Sequence, residues 1–252
     1  MPRTDVNVPT PDGECPSIVI TPDGDGPWPA VILYMDAGGV RAAMVTMAER
    51  LAAMGYVAFL PEMYYRSGPY EPFAMETVFT DAAERQRLFG MITSLTTDGV
   101  ASDAGAFLAY LSALPQVAGA PDGMKVGTTG YCMGGRLSLV SAAHHPDRIV
   151  AAASFHGGHL VTDAPDSPHR LVARITGRVY VAGAENDASF TADDAAALDD
   201  ALTAAGLEHT VEFYPAGHGF AVPDNPPYDE SAAERHWQAL DDLYGAMLTA
   251  RA

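Results

Sequence analysis

The chain has 252 residues, 48% of them hydrophobic and 18% charged, with 32 acidic against 14 basic residues and a formal net charge of -18. This composition is ordinary for a folded protein with a sizeable core. The acidic excess argues against nucleic acid or an anionic membrane as partner, and it opposes anionic small molecules unless local Arg residues reverse the field. The sequence contains no run of about 18 apolar residues, so no membrane-spanning helix is predicted.

The first residues lack a signal-peptide pattern, and two cysteines, Cys15 and Cys132, are too few for a disulfide framework. We therefore expect a reducing, cytoplasmic setting, in which a lone cysteine is more often free or catalytic than bridged. Cys15 has no role that the sequence assigns.

Short apolar runs alternate with amphipathic stretches along the chain. Strands are predicted over 18–21, 30–34, 57–60, 125–129, 151–155, 178–182 and 209–214, and helices over 44–54, 100–114, 133–144, 191–205 and 231–248. Because several strands are apolar without alternation, they suit a mostly parallel sheet buried on both faces. The pattern predicts a single α/β domain over residues 1–252, with a central sheet and helices on both faces.

Residues 63–95 interrupt this alternation. The segment is rich in Tyr, Phe, Pro and Glu, and a helix is predicted near 82–95. We expect a lid-like excursion over one face of the sheet. Its aromatic residues, which include Tyr70, Phe73 and Phe79, suit either an apolar pocket lid or simple packing of the excursion.

The stretch "KVGTTGYCMGG" (125–135) joins a predicted strand to a predicted helix, with Cys132 between Gly130 and Gly134. This is the G-x-S-x-G pattern of the nucleophile elbow with Cys in place of Ser. A strand that turns directly into a helix leaves no room for side chains two residues before and after the central residue. The helix N-terminus favours a thiolate there, and the amide of Met133 becomes an oxyanion donor.

A nucleophilic cysteine needs a base, and the base needs an orienting acid. "VYVAGAENDASF" places Asp187 after a strand, with Glu185 as its rival, and "VEFYPAGHGF" places His218 after the next strand. His156 and His159 also follow a strand and are candidates to line the pocket. No Cys/His spacing is typical of a metal site, so no metal is expected.

These segments together resemble the dienelactone hydrolase family of α/β-hydrolases. The resemblance runs from about residue 18 to 248, through "AVILYMDAGG", "GYVAFLPEMYYR", "ERQR", "KVGTTGYCMGG", "AGAEND" and "YPAGHGF". It implies the α/β-hydrolase fold, a triad of Cys132, Asp187 and His218, and an oxyanion hole formed by the amides of Met133 and Ala37. No cofactor is implied.

The resemblance also implies a carboxylate near the resting thiol, here Asp36, which would repel a thiolate and protect the thiol from oxidation. The alternative for Asp36 is a capping acid for the helix that follows. Of two arginines that hold a substrate carboxylate in the family, one corresponds to Arg87, whereas the other position is Val222. The missing arginine leaves open whether the substrate is anionic.

The sequence therefore predicts a hydrolase of a carboxylic ester or lactone, acting through a thioester acyl-enzyme. Two alternatives remain: a broad carboxylesterase or thioesterase on neutral acyl substrates, and a non-catalytic redox-sensing or ligand-binding protein of the same fold. We expect a small-molecule substrate and a monomer or small homo-oligomer.

Overall fold

The computed structural model describes residues 1–71 and 73–248; the predicted domain and excursion also include Pro72 and residues 249–252, which lie outside the described residues. The strands are β1 Arg3–Thr10, β2 Gly13–Ile20, β3 Ala30–Tyr34, β4 Val57–Pro61, β5 Val126–Tyr131, β6 Ile149–Phe155, β7 Arg178–Ala184 and β8 His209–Tyr214. The helices are α1 Ala42–Ala53, α2 Ala82–Thr93, α3 Thr97–Ser112, α4 Met133–His144, α5 Pro168–Leu171, α6 Ala192–Ala204 and α7 Glu230–Met247.

The described strands form one sheet in the order β1-β2-β4-β3-β5-β6-β7-β8. The pairs from β4 to β8 are parallel, whereas β1 with β2 and β2 with β4 are antiparallel. The mostly parallel sheet is confirmed. The N-terminal hairpin was not predicted, because β1 is an edge strand with mostly exposed, polar residues.

Helices cover both faces of the sheet, as predicted. Gly127 and Gly130 lie three residues apart on β5, so they face opposite sides. A Cβ on Gly127 would meet Tyr244 of α7, whereas a Cβ on Gly130 would meet the backbone of α4. Helix α1 lies on the side of α7, since Arg50 pairs with Glu234. Helix α3 packs beside α4 on the other side.

The excursion contains a short 3-10 helix, Tyr65–Ser67, followed by a loop and α2. The hydroxyl of Tyr70 donates to Oε2 of Glu62 at 2.9 Å, which holds the loop near the end of β4. Asp81 caps α2 by accepting from two amides of its first turn. Within residues 1–71 and 73–248, no helix is long and apolar enough to cross a membrane.

Candidate active site

Cys132 stands at the turn from β5 into α4, at the carboxyl end of a central strand. Its backbone lies in the left-handed region, with φ 56° and ψ -119°. A Cβ on Gly130 would overlap the carbonyl oxygen of Gly134, and a Cβ on Gly134 would overlap that of Met35. The two glycines of the predicted elbow therefore have the steric role that their spacing indicated. The turn presents the thiol at the end of the sheet.

The structure brings His218 and Asp187 together from two neighbouring strand ends. Asp187 follows β7, His218 follows β8, and Nδ1 of His218 donates to Oδ2 of Asp187 at 2.6 Å. The amide and hydroxyl of Ser189 donate to the other oxygen, Oδ1, at 2.8 and 2.7 Å. Glu185, the alternative acid, is exposed. Of the two candidate acids, Asp187 is the one that is hydrogen-bonded to His218.

The hydrogen bonds of the pair shift both pKa values. Burial alone would raise the pKa of Asp187, but the bonds from His218 and Ser189 lower it to about 2. Burial opposes the charge on His218, but hydrogen bonds to Asp187 and to Cys132 raise its pKa to about 10. An imidazolium beside the thiol at neutral pH is the partner that a thiolate needs.

The second cysteine has a different environment. Cys15 is buried on β2, and its desolvation raises the pKa of the thiol to about 12. Since the thiolate is the reactive form, Cys15 stays protonated and inert at neutral pH. Cys132, half-buried at the edge of a cavity, is the cysteine that a substrate can reach.

Met133 and Ala37 both line this cavity, and neither backbone amide donates a hydrogen bond to another residue of the described ranges. The hydroxyl of Tyr64, a buried residue that the sequence analysis missed, contacts both neighbours. It donates to the carbonyl of Ala37 at 3.1 Å and contacts Sδ of Met133 at 3.2 Å. Tyr64 therefore fixes the loop after β3 against the start of α4.

A cavity of about 650 Å³ opens beside the thiol. It is lined by Ala37, Phe79, Phe89, Ile92, Thr93, Leu95, Thr97, Cys132, Met133, Arg136, Gly158, His159, Thr162, Ala164, Asp166, Ser167, Pro168, Asp187, Ala188, Ser189 and His218. The excursion supplies several apolar residues of the cavity wall. The volume suits a small organic molecule.

Asp36 is almost wholly buried, at 1% exposure, and its carboxylate is occupied by an ion pair. Arg41 donates to both oxygens, at 2.5 and 3.0 Å, while Gly38 and Asn225 supply further hydrogen bonds at 2.9 and 3.2 Å. Asp36 does not cap α1, because the helix begins at Ala42 after a different N-cap. Its observed partners give it a structural role in the loop after β3.

The two positions of the expected carboxylate clamp lie away from the cavity wall. Arg87 on α2 pairs with Glu84 at 2.6 Å, donates to the carbonyl of Glu71 and stacks on Phe73. Val222 is fully buried. Neither residue lines the cavity, so neither presents a cation to a molecule bound beside Cys132.

The two histidines after β6 separate in the structure. His159 lines the cavity, whereas His156 is buried next to the elbow and does not. Nδ1 of His156 accepts a hydrogen bond from the amide of Cys132 at 3.1 Å, and its ring lies edge-on to His218 with centroids 5.2 Å apart. Burial and the nearby His218 hold the pKa of His156 well below its ordinary value, so the ring is neutral. His156 therefore supports the elbow through its hydrogen bond with the amide of Cys132.

Arg136 was also missed by the sequence analysis, although a signal existed. That signal is its place in the first turn of α4, four residues after Cys132 in the elbow. It lines the cavity together with the thiol. The described residues contain no group of three or more His, Cys, Asp or Glu side chains that could hold a metal ion.

Comparisons with known proteins identify the family of the chain. The sequence model of the dienelactone hydrolase family matches residues 16–248. A Synechocystis sp. protein named "Putative carboxymethylenebutenolidase" is 31% identical over 211 residues, which cover 82% of this chain and 81% of that protein. The carboxymethylenebutenolidase of a Pseudomonas sp. is 27% identical over 194 residues, 77% of this chain and 74% of that one.

Among solved structures, a dienelactone hydrolase-like promiscuous phosphotriesterase from metagenomic libraries superimposes with a TM-score of 0.75 and 26% identity, covering 97% of this chain and 98% of that one. The α/β-hydrolase fold expected from the sequence is confirmed. The match over nearly the whole length shows that the chain belongs to the dienelactone hydrolase family and is a hydrolase.

Proposed function

We propose that the protein hydrolyses a carboxylic ester or lactone through a triad of Cys132, His218 and Asp187 and a thioester acyl-enzyme. The observation that carries the proposal is the convergence of all three residues on one cavity, with a 2.6 Å hydrogen bond from His218 to Asp187. Nucleophile, base and orienting acid occur in the chain order of α/β-hydrolases.

In the first half of the reaction, the thiolate of Cys132 attacks the acyl carbonyl carbon and forms a C–S bond. The carbonyl electron pair moves to oxygen, where the free amides of Met133 and Ala37 stabilise the negative charge. When the tetrahedral species collapses, the C–O bond to the leaving group breaks and His218 gives that oxygen its proton.

In the second half, water attacks the thioester carbon and His218 takes one of its protons. The C–S bond breaks, the carboxylic acid leaves, and the thiolate of Cys132 pairs again with the imidazolium. Asp187 stays ionised throughout, because its low pKa keeps the charge that orients Nδ1 of His218. The cycle uses only water and groups of this chain.

The test is hydrolysis of cis- and trans-dienelactone and of 4-nitrophenyl acetate by the wild type, Cys132→Ala and Cys15→Ala. We expect turnover in the wild type and in Cys15→Ala, and none above background in Cys132→Ala. Mass spectrometry after rapid acid quench should show an acyl adduct on the peptide that contains Cys132. A folded wild type with neither turnover nor adduct would contradict the proposal.

The same experiment addresses the two alternatives. Turnover of the 4-nitrophenyl ester without turnover of the anionic lactones would favour a broad carboxylesterase or thioesterase, an outcome that the buried Val222 supports. Mild peroxide followed by mass spectrometry addresses the redox-sensing alternative. A stable sulfenate or mixed disulfide at Cys132, in a protein that turns over no ester, would favour that role.

A further inference from the structure

One cation lies in the wall of the cavity beside Cys132. Arg136 lies in the first turn of α4, and Cys132 is the N-cap residue of the same helix. Both residues line the cavity. The Arg136 side chain therefore borders the space beside the thiol that a bound ester would enter.

The charge of Arg136 is not matched by an ion-pair partner in the described part of the chain. Other arginines of this acidic protein have one: Arg41 pairs with Asp36, Arg66 with Asp103 and Arg87 with Glu84. Nη2 of Arg136 donates a hydrogen bond to the carbonyl oxygen of Leu95 at 3.1 Å. A guanidinium has five N–H donors, so most of its donors remain available to a ligand.

The surroundings of Arg136 support an anion as that ligand. Burial lowers the pKa of Arg136, with Asp166 opposing the shift. Asp166 lines the same cavity but is exposed to water, and its Oδ2 accepts a hydrogen bond from Thr97 at 2.6 Å. A half-buried cation without a close carboxylate is a poor structural element, because its desolvation is not compensated within the protein.

The remainder of that wall is apolar. Ile92 and Leu95, with Phe79 and Phe89, come from the excursion and line the same cavity as the thiol. We infer that the protein selects esters or lactones whose acyl part is largely apolar and carries a carboxylate, and that Arg136 binds this carboxylate. This inference rests on the proposed function, and it places the anion site on α4 instead of at Arg87.

The test compares two substrates of equal length, the 4-nitrophenyl half-ester of adipic acid and 4-nitrophenyl 6-methylheptanoate, in which an isopropyl group replaces the carboxylate. Each is assayed with the wild type, Arg136→Met, Arg136→Lys, Arg87→Met and Arg178→Met. Arg178 pairs with Glu208 and does not line the cavity, so it serves as the matched control. The neutral ester reports whether each variant is folded.

We expect Arg136→Met to lower kcat/KM for the adipate half-ester by about tenfold or more, mainly through KM, with the neutral ester within about twofold of wild type. Arg136→Lys should restore part of the loss, because it keeps the charge without the planar donor pair. Arg178→Met should leave the ratio of the two substrates unchanged.

Three outcomes would overturn the inference. Equal losses on both substrates in Arg136→Met would mean a structural role for the side chain. A selective loss in Arg87→Met but not in Arg136→Met would place the anion at Arg87. A wild type that prefers the neutral ester, with no effect of Arg136→Met on that preference, would exclude a carboxylate. If the wild type hydrolyses neither ester and forms no acyl adduct, the proposed function itself fails.

Discussion

Nδ1 of His218 lies 2.6 Å from Oδ2 of Asp187, and the other oxygen of that carboxylate is held by Ser189. The carboxylate accepts from both sides, so it fixes the imidazole with its proton on Nδ1 and directs Nε2 to Cys132. An amide in its place can donate to Nδ1 and reverse the tautomer. We therefore expect Asp187→Asn to lower kcat by about 10²- to 10⁴-fold with little loss of fold.

The control for that prediction is Glu185→Gln, since Glu185 is the exposed acid two residues earlier. Its kcat should stay within about twofold of the wild type on the same ester. Comparable losses in the two variants would contradict the assignment of Asp187 as the orienting acid.

The raised pKa of His218 predicts how stability depends on pH. Its folded-state pKa of about 10 lies above the ordinary 6.5, so its contribution is complete below about pH 6.5 and is lost as the pH rises towards 10. The free energy of unfolding of the wild type, minus that of His218→Gln, should therefore fall between pH 6.5 and 10. Urea denaturation at several pH values measures this difference.

Cys132→Ala provides the control for the pH dependence. Hydrogen bonding to Cys132 is one of the causes that raise the pKa of His218, so its removal should move the decline to lower pH. If the difference in unfolding free energy between the wild type and His218→Gln is constant from pH 6.5 to 10, the ion pair between His218 and Asp187 is contradicted.

The elbow glycines predict a sharp contrast between two similar substitutions. A Cβ on Gly130 would overlap the backbone of Gly134, which cannot move without displacing the start of α4. Gly130→Ala should therefore cost more than about 3 kcal/mol or prevent folding. On α2, a Cβ on Gly90 meets nothing within 4 Å, so Gly90→Ala should raise the free energy of unfolding by about 0.5–1 kcal/mol.

Thermal and urea denaturation of both variants give the comparison. A stability of Gly130→Ala equal to or above that of the wild type would contradict the close backbone approach at Gly130.

The fold was predictable wherever burial leaves a signal in the sequence. Strands β3 and β8 lie where their apolar or β-branched residues indicated, and α6 begins with the capping box of Thr191 and Asp194. Strand β1 was not predictable from apolar content, because its register with β2 is set by backbone hydrogen bonds and by the turn at Pro11 and Asp12.

The site residues also fall into those that the sequence predicts and those that it does not. Cys132 and Gly130 have a local pattern, because the turn between strand and helix imposes one. Arg87 and Arg136 could not be ranked from the sequence, since the difference lies in their partners: Arg87 is paired and stacked, and Arg136 faces the cavity. Such differences arise from tertiary packing over long sequence separations.

Asp36 has a buried ion pair with Arg41 that predicts a loss of stability on substitution. Asp36→Asn leaves Arg41 with less charge compensation in a buried place, so we expect the free energy of unfolding to fall by about 3 kcal/mol. The control Asp224→Asn removes a 43% exposed partner of the same arginine and should cost less than about 1 kcal/mol.

The same variant tests whether Asp36 modulates the thiol. Its oxygens already accept from Arg41, Gly38 and Asn225, so we expect the rate of alkylation of Cys132 by iodoacetamide to stay within about twofold of the wild type. A much faster reaction in Asp36→Asn would assign to Asp36 the thiol-protecting role that the family resemblance implies.

Phe89 on α2 is 49% exposed and lines the cavity, so it predicts a dependence of activity on acyl chain length. A long acyl chain gains apolar contact with this ring, whereas an acetyl group beside Cys132 is too short to reach the outer wall. Phe89→Ser should lower kcat/KM for 4-nitrophenyl octanoate about 5- to 10-fold, from burial of some 50 Å² at about 25 cal/mol per Å², and leave the acetate ester unchanged. The control is Tyr228→Ser, an exposed aromatic that does not line the cavity, and it should alter neither ester. An equal decrease for acetate and octanoate in Phe89→Ser would mean that Phe89 positions the site instead of contacting the chain.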